Sequence, residues 1–257
     1  MIVKTEAVVV KRMDYRDTSL IVNLLTREFG RLTVIAKGAR DPRNRLGPLL
    51  DSMNHLQVVL YKKEGRDLHL VTQCASLQRF PQLTTDLARL GCSLSILELG
   101  YTVSEAEEES TALFSSVVDA LGAIDRGENP TSVLLLFESR LLSLLGFRPD
   151  LFRCVCCGAA MRLRGGGTKI TSFRLRSDGI VCHQCRDAGG LGAFEIHPDS
   201  LEALQDLQDL TLGEGEHLRG YPPGLFRESR NALRYLLRTH VEGVRKLKSE
   251  EVLAALL

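Results

Sequence analysis

Hydrophobic and polar positions change their period once along the chain, near residue 80. Before it, apolar residues alternate or cluster in short β-branched runs: Glu6 to Lys11, Ser19 to Thr26, Arg31 to Ala36, Asn54 to Lys62 and Leu68 to Leu77. Runs of this length, bounded by glycine and polar clusters, predict strands. Glu28-Phe29-Gly30 reads as a hairpin loop and Ala39 to Pro48 as a breaker-rich loop. Glu64-Gly65-Arg66 joins the last two strands. Five strands in so short a stretch predict a small closed, or nearly closed, barrel of OB type.

After residue 84 the period becomes helical. Leu87, Leu90, Leu94, Leu97 and Tyr101 share one predicted helix face, and Leu113, Val117, Leu121 and Ile124 mark a second helix. Pro130 opens a third, with Val133, Leu134, Phe137, Leu141, Leu144 and Leu145 inward and Gly146 as its stop. Pro198 starts a fourth, carrying Leu201, Leu204, Leu207 and Leu210, and residues 224–247 make a last long helix. The expected organisation is α+β and multidomain. A barrel occupies 1–80, a helical domain 81–150 and 196–257, and a small cysteine module 151–195 interrupts the helices.

That module carries the sharpest chemical signal. Cys154/Cys157 and Cys182/Cys185 form two C-x2-C knuckles separated by 24 residues. Such a pair of knuckles supplies four thiolates to one tetrahedral Zn²⁺. Gly158 permits the tight turn after the first knuckle. Lys169 to Leu175 reads as a strand and Ser177-Asp178-Gly179 as a turn. Free buried thiols and disulfides are the alternatives, the latter requiring an oxidising compartment. Cys156 reads as a spare thiol, and His183 is a second-choice ligand. Four thiolates leave no open position for water, so the expected zinc is structural. A nucleobase deaminase would need H-x-E beside P-C-x-x-C, and neither C-x2-C pair here follows a proline.

Charge is segregated beneath a net value of +1: residues 1–80 carry +6, 81–150 carry −7, 151–195 carry +4 and 196–257 carry −2. Lys37, Arg40, Arg43 and Arg45 place four cations within nine residues on the glycine/proline loop, with Asp41 as the only carboxylate there. This is the expected phosphate-binding segment, extended by Lys11, Arg12 and Arg16 and by Lys62, Lys63 and Arg66; the alternative is a loop charged for solubility. The first 80 residues hold only Tyr15, Phe29, Tyr61 and Phe80 as aromatics. Binding should therefore rest on phosphates more than on base stacking. On the last helix Arg227, Arg230, Arg234 and Arg238 line up opposite Leu233, Leu236, Leu237 and Val244. This basic stripe would suit an acidic peptide tail with an apolar end, or is simply a solvated face.

Glu105, Glu107, Glu108 and Glu109 read as a solvated helix end. Gly165-Gly166-Gly167 lacks Walker spacing and reads as a turn, and no G-x-S-x-G or H-E-x-x-H is present. No catalytic constellation is found, so no enzyme is expected. The start of the chain lacks a charged segment followed by an apolar run, and no stretch is long enough to span a membrane; a cytoplasmic protein without signal peptide is expected.

Taken together, Glu28-Phe29-Gly30-Arg31-Leu32-Thr33-Val34-Ile35-Ala36-Lys37-Gly38-Ala39-Arg40, Cys154-Val155-Cys156-Cys157-Gly158 and Cys182-His183-Gln184-Cys185 make the chain resemble the bacterial RecO family over essentially its full length. The resemblance implies a recombination mediator that binds single- and double-stranded DNA and anneals complementary strands. It implies that, with RecR and indirectly RecF, the protein helps RecA replace single-stranded-DNA-binding protein (SSB). It also implies DNA and RecR contacts on the barrel and an SSB-tail site on the helical domain. Lys37 and Arg40 match the family's basic segment; Arg227, Arg230 and Arg234 are assigned to the tail from charge alone. The competing expectation is a zinc-ribbon/OB factor of transcription or translation that binds RNA.

Overall fold

Period-two alternation sends one face of each N-terminal strand into a common core. In the computed structural model, which describes residues 1–62, 65–161, 172–189, 193–210, 222–249 and 253, these strands are β1 (Ile2–Tyr15), β2 (Ser19–Thr26), β3 (Gly30–Ala36), β4 (His55–Tyr61) and β5 (Leu68–Gln78). They close a barrel in the order β1-β2-β3-β5-β4. All neighbours are antiparallel except β3 and β5, which pair in parallel at Thr33–Leu68, Val34–His69 and Ile35–Leu70. This is the OB-like topology expected. Val9, Val22, Leu24, Leu32, Val34, Leu56, Val58 and Leu60 fill the interior. Strand β1 is bulged between Val9 and Lys11, and its far half pairs with β2 alone as a hairpin ribbon, β2 continuing on its other side into β3.

The helices are α1 (Leu87–Val103), α2 (Thr111–Asp125), α3 (Pro130–Leu144), α4 (Pro198–Asp209) and α5 (Pro223–His240). Between α3 and α4 lies a small sheet, with β6 (Phe173–Leu175) flanked by β7 (Ile180–Val181) and β8 (Phe194–Ile196). Contacts divide the chain into two compact units, Met1–Arg126 and Gly127–Leu257. This division is coarser than the four segments read from sequence and groups α1 and α2 with the barrel.

Three helix expectations are corrected. Leu87 is 60% exposed, and α1 turns Cys92, Ile96, Leu97 and Leu99 inward together with Gly91, Ser93, Ser95 and Gly100. Small residues let a helix lie close to its neighbour, and that approach outweighs the leucine periodicity. Leu144 is also exposed, at the end of α3. The last helix stops at His240; Val241 is extended and a 3₁₀ turn follows at Glu242–Lys246. Gly243, a poor helix former, lies just beyond this stop.

A methyl at Gly100 would stand 2.7 Å from Val117 Cγ2 on α2, a side chain stiff at χ1. Gly100→Ala should therefore destabilise the protein by roughly 1–3 kcal/mol through overpacking, despite the gain of about 1 kcal/mol in helix propensity. Thermal melts should show the loss, and adding Val117→Ala should recover it; a Gly100→Ala protein melting above wild type contradicts the packing.

Candidate nucleic-acid interface and metal centre

The chain between β3 and β4 must cross from the parallel edge of the barrel to the far side of β5. Lys37, Arg40, Arg43 and Arg45 sit on this crossing and are all exposed, Arg43 with 96% of its side chain accessible. The crossing is nonetheless ordered by its own short polar side chains. Asp41 Oδ1 accepts from Arg43 N at 2.9 Å, and Asn44 Oδ1 accepts from Leu46 N at 2.9 Å. Ala39 is buried, and Gly47 passes so close that a Cβ would lie 2.2 Å from the Ala39 carbonyl.

This segment is tied to the β1–β2 ribbon. Arg40 N donates to Thr18 O at 2.8 Å, and Arg40 Nη1 donates to Arg16 O at 3.1 Å. Its Nη2 also pairs with Asp14 at 3.3 Å. Arg12 and Arg16, exposed on the ribbon, therefore adjoin the loop; Lys11 is exposed too, but as Arg12's neighbour in the strand it faces the other side of the sheet. Two carboxylates invisible to a local reading lie within it, since Asp14 faces Arg40 and Asp51 pairs with Arg12. Both pairs are solvent-exposed and worth at most about 1 kcal/mol, which an incoming phosphate can displace. Tyr15 is half-buried with the Arg16 guanidinium 5.2 Å from its ring centroid.

The second basic extension is corrected. Lys62 lies over the Phe29 ring at 5.0 Å and pairs with Glu107 at 3.2 Å, so its charge is spent inside the fold. Arg66 is exposed; Lys63 falls outside the described residues, as do Gly165-Gly166-Gly167 and Lys169 to Thr171. The glutamates of the acidic run are exposed just past the end of α1, as expected, but their backbone is not free. It docks on the β2–β3 turn, with Arg31 N donating to Glu105 O (3.2 Å), Glu107 N to Phe29 O (3.0 Å) and Ser110 N to Arg27 O (3.1 Å). Gly30 admits this contact because a Cβ there would lie 2.0 Å from the Glu105 carbonyl. Glu107 adopts φ 65°, a rare conformation for a side-chain-bearing residue.

In the C-terminal unit the thiols of Cys154, Cys157, Cys182 and Cys185 converge, all four sulfurs within 4.8 Å of one another. Gly158 (φ 73°) turns the first knuckle and donates its N–H to Cys154 O at 2.8 Å. The Asp178-Gly179 turn brings β7 back, and Gly179 cannot carry a Cβ, which would lie 2.3 Å from Asp150 O. Cys182 N donates to Cys154 Sγ at 3.3 Å. Burial opposes ionisation of Cys154, and backbone N–H groups of Cys182, Cys157 and Cys156 overcome it, bringing the thiol down to about 6. The neighbouring thiols of Cys157 and Cys182 push Cys185 up to about 12. One thiolate therefore opposes the next, and a cation at the centre removes the conflict. Cys157 and Cys182 sulfurs are 3.8 Å apart, far beyond a disulfide bond. The cluster can hold a metal ion. Cys156 and His183 are exposed and stand outside it.

The arginine stripe of α5 is corrected too. Leu233, Leu236, Leu237 and Val244 are core as expected, and Arg227 and Arg238 are exposed. Arg230 (9% exposed) and Arg234 (4%) instead turn inward to Glu138 of α3, which is fully buried. Glu138 Oε1 lies 3.7 Å from Arg230 Nε and 3.6 Å from Arg234 Nη1. A glutamate between the inward Phe137 and Leu141 of α3 was the available signal; its partners, some ninety positions away, were not visible locally.

His55 and His69 are buried in the N-terminal unit. Burial lowers the pKa of His55; Glu6, 3.2 Å away, opposes the shift and Arg27 adds to it. Burial likewise lowers His69, with Glu107 opposing and Lys62 adding. Both folded pKa values lie below the unfolded value of about 6.5. Their contribution is complete above that pH and is lost as pH falls from it toward the folded values, where only the unfolded chain takes up protons. The thermal midpoint should fall between about pH 7.5 and 5.5, and His69→Gln should flatten part of that slope. A wild-type midpoint unchanged across this window contradicts the assignment.

Comparison with known proteins matches both halves of the chain to one family. The family profile "Recombination protein O N terminal" matches residues 1–80, and "Recombination protein O C terminal" matches 84–251. The "DNA repair protein RecO" of Symbiobacterium thermophilum is 32% identical over 98% of this chain and 96% of the relative. That of Roseiflexus sp. is 33% identical over 93% and 81%, and that of Pelodictyon phaeoclathratiforme 30% identical over 100% and 99%. With both halves matched in order and two of these relatives aligned nearly end to end, the chain belongs to the RecO family.

Proposed function

We propose that this chain is a DNA-binding recombination mediator in DNA repair. In this reading it binds single- and double-stranded DNA, anneals complementary strands and, with RecR, helps load RecA onto SSB-coated DNA in the cytoplasm. The observation that carries it is the joined cationic surface of loop and ribbon: Lys37, Arg40, Arg43 and Arg45 with Arg12 and Arg16, all exposed on one barrel, and Lys11 exposed on the other side of the ribbon. Two strands repel through their phosphates, and a surface that neutralises both lowers the cost of their encounter. No bond is made or broken in this step, so the reading assigns no catalytic residue. The acidic tail of SSB is assigned to the helical part of the chain, with Arg227 as its exposed contact. Arg230 and Arg234, turned to Glu138, are withdrawn from that surface role.

Replacing Lys37, Arg40, Arg43 and Arg45 together by Glu should abolish annealing of SSB-coated strands, with or without RecR, while the melting profile persists. Wild-type binding should weaken steeply with salt. Four neutralised phosphates on a single strand give a slope of about −3 in log K against log salt. Retained annealing in the variant, or a flat titration of the wild type, refutes the site.

The metal is assigned as one structural Zn²⁺. A Zn–S bond of about 2.3 Å in a tetrahedron separates sulfurs by about 3.8 Å, and Cys157 and Cys182 stand at 3.8 Å. Such an ion adds folding energy, about 10–16 kcal/mol in small zinc modules, and orders β6, β7 and the knuckles. Elemental analysis should find one zinc per chain. Cys154→Ser with Cys182→Ser should lose it and lower the thermal midpoint, as should a strong chelator; a metal-free protein melting like wild type rules the assignment out.

A further inference from the structure

The cysteine cluster carries a second chemistry beside metal binding. Its one buried member is Cys154, whose sulfur accepts the Cys182 N–H at 3.3 Å. Cys157 is exposed, and Cys182 and Cys185 are half-buried. A small oxidant arriving from water therefore meets Cys157 first. A thiol that coordinates a metal ion is held as thiolate outright. Oxidation of cysteine follows thiolate character and access, and at Cys157 the two coincide.

The geometry also names a partner for Cys157. Its sulfur lies 3.8 Å from that of Cys182, on the other knuckle and 25 positions along the chain. A disulfide holds its sulfurs about 2.05 Å apart, so the pair closes with about 1.8 Å of movement. The new bond would join the two knuckles, as the ion does, and keep the module tied. Cys156 is a fifth thiol, exposed beside the cluster with Arg176 Nη1 4.0 Å from its sulfur. It is a poor partner for Cys157, because consecutive Cα atoms are about 3.8 Å apart and disulfides usually span about 4.4–6.8 Å.

We propose that Cys157 and Cys182 form a reversible oxidation site for hydroperoxides, and that its closure releases the metal ion. The proposal rests on the zinc assignment above. The Cys157 thiolate attacks the peroxide O–O bond, becomes a sulfenic acid and releases hydroxide. The Cys182 thiolate then attacks that sulfur, forms the S–S bond and expels a second hydroxide. Two protons turn both hydroxides into water. The sulfur pair loses two electrons, and the peroxide oxygens gain them. Cys154 and Cys185 remain as two ligands, too few for a closed site, and each takes up a proton as the ion leaves.

The change reaches the helices of the same compact unit. Gln205 of α4 donates to Leu151 O at 2.6 Å and to Met161 O at 3.1 Å, one on each side of the first knuckle. His240, at the end of α5, meets Ser177 O at 3.0 Å in the turn ahead of the second. Oxidation thus loosens the C-terminal unit, while the barrel, in the other unit, keeps its cations.

The test exposes the full zinc-loaded chain to hydrogen peroxide. Zinc is followed with a chromogenic chelator, thiols with a thiol reagent and the cross-link by peptide mass spectrometry. The zinc should leave, free thiols should fall from seven to five, and Cys157 should be joined to Cys182. Dithiothreitol with added zinc should reverse all three. Cys156→Ser keeps every ligand and should release zinc at an unchanged rate. Cys157→His keeps a four-ligand site and should hold its zinc against peroxide. Binding of a labelled single strand through the barrel should survive oxidation.

Zinc retained while peroxide consumes Cys156 overturns the proposal. So does a disulfide between any other pair, an irreversible sulfinic acid at Cys157, or release abolished in Cys156→Ser. These results leave the zinc assignment standing, whereas a chain that never holds zinc overturns that assignment and this proposal with it. Strand binding lost together with the zinc overturns the confinement to the C-terminal unit.

Discussion

Three residue pairs close the N-terminal barrel. The parallel pairing of β3 with β5 leaves no open edge, and it forces the chain leaving β3 to cross the barrel before returning as β4. Antiparallel neighbours accept a tight turn, whereas this connection cannot be short. The length it requires is where the cations reside. Topology thus explains why a dense group of like charges is tolerated here: the loop has no strand to pair with and faces water. The ribbon made by β1 and β2 supplies the other wall, and Arg40, bonded to its carbonyls, joins the two.

The C-terminal unit meets the opposite electrostatic problem. Its thiols stand close enough that Cys157 and Cys182 suppress the ionisation of Cys185, and Glu138 lies buried beside two guanidiniums. At Glu138 charge is tolerated away from water because countercharges of fixed geometry are brought to it, and the partly exposed thiol cluster can be relieved in the same way by a metal ion. The glycines at 158 and 179 serve this end by letting backbone pass where a side chain would collide or strain.

Local pattern was enough for much of the architecture. Ser19 to Thr26 coincides with β2, and the strands at Arg31, Asn54 and Leu68 lie within a residue of those observed, because a half-buried strand writes its period directly into the sequence. The four zinc-type cysteines were legible for a similar reason: knuckle spacing is a local property. What stayed hidden was decided by distant neighbours. The inward face of α1 is set by glycines and serines that α2 approaches, against the leucine count. Lys62, Arg230 and Arg234 looked like surface cations until Glu107 and Glu138 were placed opposite them. Charge in a sequence says how much cation there is; only the fold says how much of it is left for a ligand.

Glu107 has a consequence for how this protein can be dissected. Its carboxylate holds Lys62 and lies 3.9 Å from His69, while its backbone and that of its neighbours cover the β2–β3 turn. A fragment trimmed after the last barrel strand would uncover a histidine that is 2% exposed and leave an ammonium stranded over Phe29. The compact unit that holds the barrel accordingly runs on to Arg126, carrying two helices that contribute no cation to the proposed interface, with the segment between them covering the barrel's β2–β3 turn.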